Sequence, residues 1–176
     1  MFGFLKNDKE EASTQPTSIE QIQVGDVVDY YMKSWETQEE GVYDWGNNES
    51  SKEFKLNSGD EVAYISLYED DELEISVFQK INWNAIDGDL RSTINQYSEP
   101  PRELVKDGVK YYLSDSGMAR YRSITKDKGW SNFAYWDYED ETEDKIVSIE
   151  SWDGDFEISA GEYVEPFEFG IFRKAK

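Results

Sequence analysis

Short segments in which hydrophobic and polar residues alternate make up most of the chain. They recur about every ten residues in the first half, separated by turn-forming runs such as Gly46-Asn47-Asn48 and Ser58-Gly59-Asp60. Alternation with a period of two is typical of strands with one buried face, and Gly, Asn and Asp favour tight turns. The pattern predicts strands over residues 27–32, 35–43, 52–56, 61–68 and 73–81.

The period changes between residues 84 and 101. Ile86, Leu90, Ile94 and Tyr97 follow one another at helical spacings and would share one face of a helix. Pro100-Pro101 cannot continue a helix, so we expect a short helical connector that ends before them. Strands then resume, and the last one is predicted over residues 163–172, with Phe167, Phe169 and Ile171 on one face.

Two stretches of sequence occur twice. Residues 24–32 match residues 105–113 at an offset of 81, and Leu73-Glu74-Ile75-Ser76 matches Phe156-Glu157-Ile158-Ser159 at an offset of 83. Two matches in the same order at nearly the same separation predict an internal duplication. We therefore predict an all-β, mainly antiparallel fold, in which two related β modules form a barrel- or sandwich-like unit around one shared core.

These patterns divide the chain into four parts. We expect a flexible tip and tether over 1–21, a first β module over 22–81, a connector over 82–102, and a second β module with a closing strand over 103–172. The tip carries Phe2, Phe4 and Leu5, too few apolar residues for a signal peptide or a membrane span. Peripheral contact of these three residues with a membrane remains open.

Charge and two missing residue types limit the possible functions. The chain has 39 acidic and 18 basic residues and a net charge of -21, which disfavours nucleic acid as a partner. It has no Cys and no His, which excludes thiol nucleophiles, disulfides, Ser-His-Asp triads and His-containing zinc sites. Any catalysis would rest on carboxylates, Lys, Tyr, Ser or Thr. The lack of Cys fits a reducing cytoplasm, where we place the protein.

Carboxylates are the remaining candidates for chemistry. Residues 137–157 contain ten of them against Lys145, a composition that attracts hard cations. Asp153-Gly154-Asp155 does not continue into a calcium-binding loop, however, and is better explained as a hairpin turn. A pair of carboxylates beside tryptophans would also suit a glycoside hydrolase, but no pair stands out among 39 acids. We assign no catalytic, cofactor-binding or metal-binding residue. The six tryptophans are Trp35, Trp45, Trp83, Trp130, Trp136 and Trp152.

One basic cluster follows the strand predicted over residues 119–124. It consists of Arg120, Arg122, Lys126 and Lys128, and the two arginines alternate, so they would share a face. The cluster either neutralises acidic neighbours or contacts an anion or a partner. No glycine-rich phosphate-binding fingerprint is present, which disfavours nucleotide chemistry.

The chain also resembles a known bacterial family, numbered 4178 among the domains of unknown function. The resemblance extends from about residue 22 to about residue 172 and consists of strand and turn patterns without a catalytic signature. It implies a β fold and supplies no mechanism or site residue. The segments that carry it are 22–28, Tyr43, 53–56, 111–113, 117–119, 147–152 and Gly161.

Together these features favour a soluble, acidic, non-enzymatic binding or accessory module for a protein or a membrane-associated assembly. We expect a protein partner and no cofactor. The alternative is a carboxylate-based hydrolase or binding module that acts on carbohydrate.

Overall fold

Twelve strands and one α-helix make up residues 14–174, the part of the chain that the computed structural model describes. All strand pairs are antiparallel, which confirms the all-β prediction. The strands are β1 Thr14–Thr17, β2 Val27–Tyr30, β3 Lys33–Gly46, β4 Glu49–Asn57, β5 Val62–Glu69, β6 Leu73–Lys80, β7 Glu103–Lys106, β8 Val109–Ser123, β9 Ser131–Asp140, β10 Lys145–Trp152, β11 Asp155–Val164 and β12 Gly170–Lys174.

Eight of these strands close into a barrel. Their order around the wall is β3-β4-β5-β6-β11-β10-β9-β8, and β8 pairs back onto β3 between Gly41–Ser123 and Asp44–Arg120. Closure removes the unpaired edges that an open sheet would present. Tight turns at Asn47-Asn48 and Asp153-Gly154, all with positive φ, join neighbouring strands of the wall, as the turn-forming residues predict.

The other four strands extend the sheet beyond the closed wall. The first part of β3 pairs with β2, β2 pairs with β12, and β12 pairs with β1. On the other side, β7 pairs with the first part of β8. β1 and a 3-10 turn at Ile19–Gln21 lie inside the stretch 1–21 that the sequence assigned to a tether. Phe2, Phe4 and Leu5 lie outside the described residues.

The connector contains the predicted helix, α1, at Leu90–Tyr97. The Asp89 side chain caps it by accepting a hydrogen bond from the Ser92 backbone N–H at 3.0 Å, and Ser98 ends it in the left-handed conformation. Leu90 and Ile94 are buried as the spacing predicts. Tyr97 is instead 64% exposed, because it lies in the last turn of the helix, beyond the buried stripe.

Hydrophobic side chains lie on the outer face of the barrel wall. A first core packs the outer faces of β4, β5 and β6 against β2, β12 and the start of β3, and includes Phe54, Ile65, Ile75, Val28 and Trp35. Neighbouring residues on the same strands, such as Ser66 beside Ile65, face the interior of the barrel. The alternation in these strands therefore places apolar residues outside and polar residues inside.

A second core covers the opposite side of the wall. It joins the outer faces of β9, β10 and β11 to the connector and β7, through residues such as Tyr138, Ile149 and Ile158 on the strands and Leu90 and Leu104 on the cover. The expectation of one shared core is therefore wrong: two separate cores flank the barrel, and a third, aromatic cluster lies inside it beside polar groups.

The two halves of the chain repeat one strand order. Each begins with a short strand hairpinned to a long one, followed by three further strands of the wall: β2 to β6 and β7 to β11. The long strands have irregular pairing at matching places, between Thr37 and Glu39 in β3 and between Leu113 and Asp115 in β8. Duplication of the chain stays a prediction, which the strand order and these two irregularities favour.

The sequence matches do not give the structural register. The Glu-Ile-Ser segments lie on the corresponding strands β6 and β11 and point to the same face of the wall. Strand pairing, however, places Val77 opposite Ile65 and Ile158 opposite Ile149. If Ile65 and Ile149 correspond, Ile158 therefore corresponds to Val77, at an offset of 81, and not to Ile75, at an offset of 83. The other match is wrong, because Tyr30 ends β2 whereas Tyr111 lies within β8. Similar strand composition produced it.

The predicted final strand over 163–172 is also wrong as a single element. β11 ends at Val164, Pro166–Glu168 forms a 3-10 turn, and β12 begins at Gly170. The proline starts the turn at a position that suits its fixed φ. Phe167 is consequently 84% exposed, whereas Ile171 is buried.

A buried ion pair holds β12 in place. Arg173 donates hydrogen bonds to both oxygens of Asp26, at 2.9 and 2.8 Å, and to the Gln21 carbonyl at 2.7 Å. The Gln23 backbone N–H also donates to the Asp26 carboxylate. Because Asp26 is fully buried, this pair ties the end of the described chain to the start of the first module.

The orientation of the wall can be tested with neighbouring substitutions. We expect Ile65→Ala and Ile149→Ala each to lower the free energy of unfolding by about 3 kcal/mol, because each leaves a cavity in an outer core. The matched change Ser66→Ala, on the interior face beside Ile65, should cost less than about 0.5 kcal/mol. Urea unfolding followed by tryptophan fluorescence measures both. Equal losses for Ile65→Ala and Ser66→Ala would contradict this orientation.

Candidate functional site

A cavity of about 780 Å³ occupies the interior of the barrel. Inward-facing residues from all eight strands of the wall line it, and it extends to the β3–β4 hairpin, where Asn47 and Glu49 are exposed. Its volume is in the range of small-molecule binding sites. The barrel therefore encloses space that its own side chains do not fill.

Acidic groups outnumber basic groups in the lining. Eight carboxylates and three lysines face the cavity. The carboxylates are Glu39, Glu49, Glu53, Glu74, Asp115, Asp137, Glu150 and Glu157, and the lysines are Lys55, Lys80 and Lys126.

Two of the carboxylates pair with all three lysines. Glu39 binds Lys55 Nζ at 3.2 Å through one oxygen and Lys126 Nζ at 2.6 Å through the other. Glu157 binds Lys80 Nζ at 2.6 Å. The hydrogen bond from Lys126 is the main cause that lowers the pKa of Glu39. The other six acids of the lining have no lysine or arginine within ion-pair distance among the described residues.

Three carboxylates lie deep in the cavity wall, on β4, β9 and β10. Burial raises the pKa of Glu53 to about 7 and that of Asp137 to about 6. Burial also raises the pKa of Glu150 to about 8, and the negative charge of Glu53 adds to this shift. The second cause shows that Glu53 and Glu150 are electrostatic neighbours, so ionising one opposes ionising the other.

Each of these carboxyl groups is held by a neighbouring side chain through one oxygen. Tyr43 Oη donates to Glu53 Oε2 at 3.1 Å, Trp152 Nε1 donates to Glu150 Oε2 at 3.0 Å, and the Ser148 hydroxyl donates to Asp137 Oδ1 at 2.6 Å.

The second oxygen of each group has no hydrogen-bond partner among the described residues. Within that part of the chain, the Thr37 hydroxyl oxygen is the one fully buried side-chain nitrogen or oxygen atom that has no hydrogen-bond partner. The free oxygens of Glu53, Asp137 and Glu150 are therefore not sealed in protein but face the cavity.

An aromatic cluster forms one end of the lining. It contains Tyr43, Phe133 and Tyr135 with Trp45, Tyr121 and Trp152 packed against them. The Tyr43 and Trp45 rings stack at 5.1 Å, and Phe133 stacks on Trp152 at 4.4 Å between centroids. Burial raises the pKa of Tyr121 to about 12 and that of Tyr43 well above 10, so both hydroxyls keep their protons at neutral pH.

Two glycines give the tyrosines room. Gly41 and Gly117 face the cavity on β3 and β8, and a Cβ atom on Gly41 would overlap the Tyr121 ring. At Gly117 a Cβ would lie 3.1 Å from Tyr135 Oη. These glycines serve close packing inside the barrel, since neither has a positive φ.

Comparison with known proteins gives a family and no mechanism. The family described as "Domain of unknown function (DUF4178)" matches residues 23–166, most of the chain. The chain belongs to the DUF4178 family. It is also similar to an uncharacterised protein of Aquifex aeolicus (strain VF5), at 25% identity over 155 residues that cover 88% of this chain and 83% of the relative. No solved structure matches it.

The DUF4178 barrel separates the predicted basic cluster. Arg120 pairs with Asp44 at 2.6 Å on the outside of the wall, and its guanidinium lies 4.6 Å from the centroid of the Trp130 ring. Arg122 lies 5.2 Å from the same ring. Lys126 instead binds Glu39 in the cavity lining. Lys128 lies exposed in the loop after β8. A contact of these residues with an anion or a partner stays a prediction.

The tryptophans are likewise divided. Trp45 and Trp152 line the cavity, whereas Trp35 is buried in the first core. Trp83 and Trp136 pack against the second core, and Trp130 lies on the outside beneath the two arginines. The sequence reasoning found Asp137 and Glu150 as members of an acidic stretch but did not single out Glu53. Alternation puts Glu53 on the face opposite Phe54, but alternation alone does not tell which of the two faces points into the barrel.

Two further observations bear on the sequence predictions. Residues 14–174 contain no group of three or more acidic side chains arranged to hold a metal ion. In the same range, no helix has the length and apolar character needed to cross a membrane.

Stability should depend on pH in a direction opposite to that of ordinary acid unfolding. Glu53, Asp137 and Glu150 retain protons in the folded DUF4178 domain at pH values where the unfolded chain has released them. We therefore expect the free energy of unfolding to fall by several kcal/mol between about pH 5 and pH 8.5, since each pH unit below a raised pKa contributes about 1.4 kcal/mol per group. Urea unfolding at a series of pH values measures it.

The control for this prediction is a pair of neutral replacements. Glu53→Gln combined with Glu150→Gln should flatten the pH dependence, whereas Glu36→Gln, on an exposed position of β3, should leave it unchanged. A free energy of unfolding that stays constant or rises over this pH range in the unsubstituted protein would contradict the assignment.

Proposed function

We propose that this DUF4178 domain is a non-enzymatic binding module that holds a small polar ligand inside its barrel. The observation that carries this proposal is the cavity of about 780 Å³ into which Glu53, Asp137 and Glu150 direct oxygens without protein partners. Carboxyl groups placed where burial raises their pKa cost free energy of folding at neutral pH. Apolar residues at these positions would pack better, so we interpret the retained carboxyls as ligand contacts.

A carbohydrate-directed hydrolase is the second candidate, because two neighbouring carboxyls with raised pKa values are also found in glycosidases. Such an enzyme needs one protonated acid and one ionised carboxylate beside the same bond. Glu53 and Glu150 are both shifted towards the protonated form. Glu39 and Glu157 are already bound to lysines. This distribution favours binding over hydrolysis.

The cavity adds to the earlier prediction of an accessory role. A protein partner, a cytoplasmic location and contact through the tip at Phe2, Phe4 and Leu5 remain predictions from the sequence. An outer surface and an inner cavity can serve different ligands. The proposal for the cavity does not depend on the partner.

A thermal-shift screen tests the proposal. The purified protein is heated in the presence of neutral sugars, small dicarboxylates and small amines, each tested separately. We expect one class to raise Tm in a saturable, concentration-dependent manner, because ligand that binds the folded state stabilises it. In Ser66→Phe, a bulky ring fills the cavity next to Glu53 on the neighbouring strand, and this rise should be lost.

Ser50→Phe is the matched control. Ser50 lies on β4 with its side chain exposed, so this variant should respond as the unsubstituted protein does. A response that is the same in Ser66→Phe and Ser50→Phe, or no response to any class, would overturn the proposed function. Turnover of an aryl glycoside that stops in Glu53→Gln or Glu150→Gln would favour the hydrolase instead.

A further inference from the structure

We propose that the ligand of the barrel is an organic cation that carries primary ammonium groups, held between Glu53 and Glu150. This inference rests on the proposed function and names the chemical class of its ligand. Three observations carry it: the charge balance of the lining, the free carboxylate oxygens and the aromatic groups that position them.

The charge balance excludes an anion and disfavours a neutral ligand. Lys55, Lys80 and Lys126 are all engaged by Glu39 and Glu157, so the lining offers no unpaired ammonium group to a phosphate or carboxylate. The lining also holds six acids that have no basic partner among the described residues, and as these ionise they create a negative potential inside a low-dielectric wall. The ligand that offsets this potential carries positive charge.

The free oxygens specify hydrogen-bond donors. Glu53 Oε1 and Glu150 Oε1 accept no hydrogen bond from the described residues, whereas the second oxygen of each group is held by Tyr43 or Trp152. An ammonium group donates up to three hydrogen bonds, and charge-assisted hydrogen bonds to carboxylates are the strong ones. A quaternary ammonium group has no N–H to donate, so a primary amine fits better.

The two carboxyl groups are positioned by one aromatic cluster. Phe133 contacts both holding residues: its ring meets Tyr43 edge-on at 5.5 Å and stacks on Trp152 at 4.4 Å. The cluster therefore fixes both Glu53, on β4, and Glu150, on β10, two strands that face each other across the barrel. Aromatic rings near a carboxylate pair also attract cations through their π-electrons. Because two carboxyls are fixed together, a diamine is favoured over a monoamine.

Binding of such a cation should release protons. A positive charge beside Glu53 and Glu150 stabilises their ionised forms and so lowers their pKa values from about 7 and about 8. Binding then displaces the protons that these two carboxyl groups hold at neutral pH in the ligand-free protein. Surface binding to exposed carboxylates, which are already ionised, releases none, so this readout separates the cavity from the acidic surface.

The test uses four-carbon probes that differ in charge. Isothermal titration at pH 7.5 and about 0.2 M NaCl compares 1,4-diaminobutane, butylamine, 1,4-butanediol and succinate, since salt suppresses loose binding to surface charges. We expect the diamine to bind most tightly, butylamine more weakly, and the diol and succinate not at all. Titration in two buffers of different ionisation enthalpy should show proton release with the diamine.

Matched variants locate the site. Glu53→Gln and Glu150→Gln, which mimic the protonated carboxyls and so should keep the fold, are each expected to weaken diamine binding by about tenfold or more and to reduce proton release. Glu36→Gln, outside the barrel, should leave both unchanged. Circular dichroism verifies that each variant is folded.

The outcomes separate this inference from the proposed function. Binding of butanediol, a sugar or succinate that Ser66→Phe abolishes, with no binding of the diamine, would overturn the cationic ligand and leave a binding cavity. Diamine binding that is unaffected by Glu53→Gln, Glu150→Gln and Ser66→Phe would place the amine on the surface and overturn the inference. If Ser66→Phe changes the binding of no probe of any class, the proposed function fails as well.

Discussion

The structure depends on which face of each alternating strand, the apolar or the polar one, points away from the axis of the closed barrel. In six of the eight wall strands, β4, β5, β6, β9, β10 and β11, an apolar face points away from the barrel axis and has to be buried. It is buried because other parts of the chain cover it: β2, β12 and β1 on one side, and the connector with α1 and β7 on the other. Without these covers the wall would expose apolar surface to water.

This arrangement leaves the interior free to be polar. A small barrel is commonly filled by its own side chains, but here the inward positions carry carboxylates, tyrosines, serines and lysines around unfilled space. The two outer cores bury most of the apolar side chains, so many interior positions are free to carry polar groups. The raised pKa values of Glu53 and Glu150 follow from the same arrangement, because burial in the wall penalises their charged forms.

Local features were predictable from the sequence, because they depend on neighbouring residues. The strands, the turns at Asn47-Asn48 and Asp153-Gly154 and the helix at Leu90–Tyr97 follow from periodicity and turn chemistry. The location of the cores was not predictable, since alternation shows that a strand has two faces without showing which one points inward. Closure of the barrel through β3 and β8 joins residues such as Asp44 and Arg120, which are far apart in sequence. The cavity exists only because the barrel closes, so no local sequence pattern could show that Glu53 lines it.

The central claim is that Glu53 and Glu150 face the same polar cavity from opposite strands of the barrel wall. Carbon-13 NMR of the side-chain carboxyl groups, assigned with Glu53→Gln and Glu150→Gln, measures it most directly in the ligand-free protein. We predict titration midpoints near 7 for Glu53 and near 8 for Glu150, with the Glu150 midpoint shifted downwards when Glu53 is replaced by Gln. Midpoints near the ordinary glutamate value of about 4.3, independent of each other, would contradict the account.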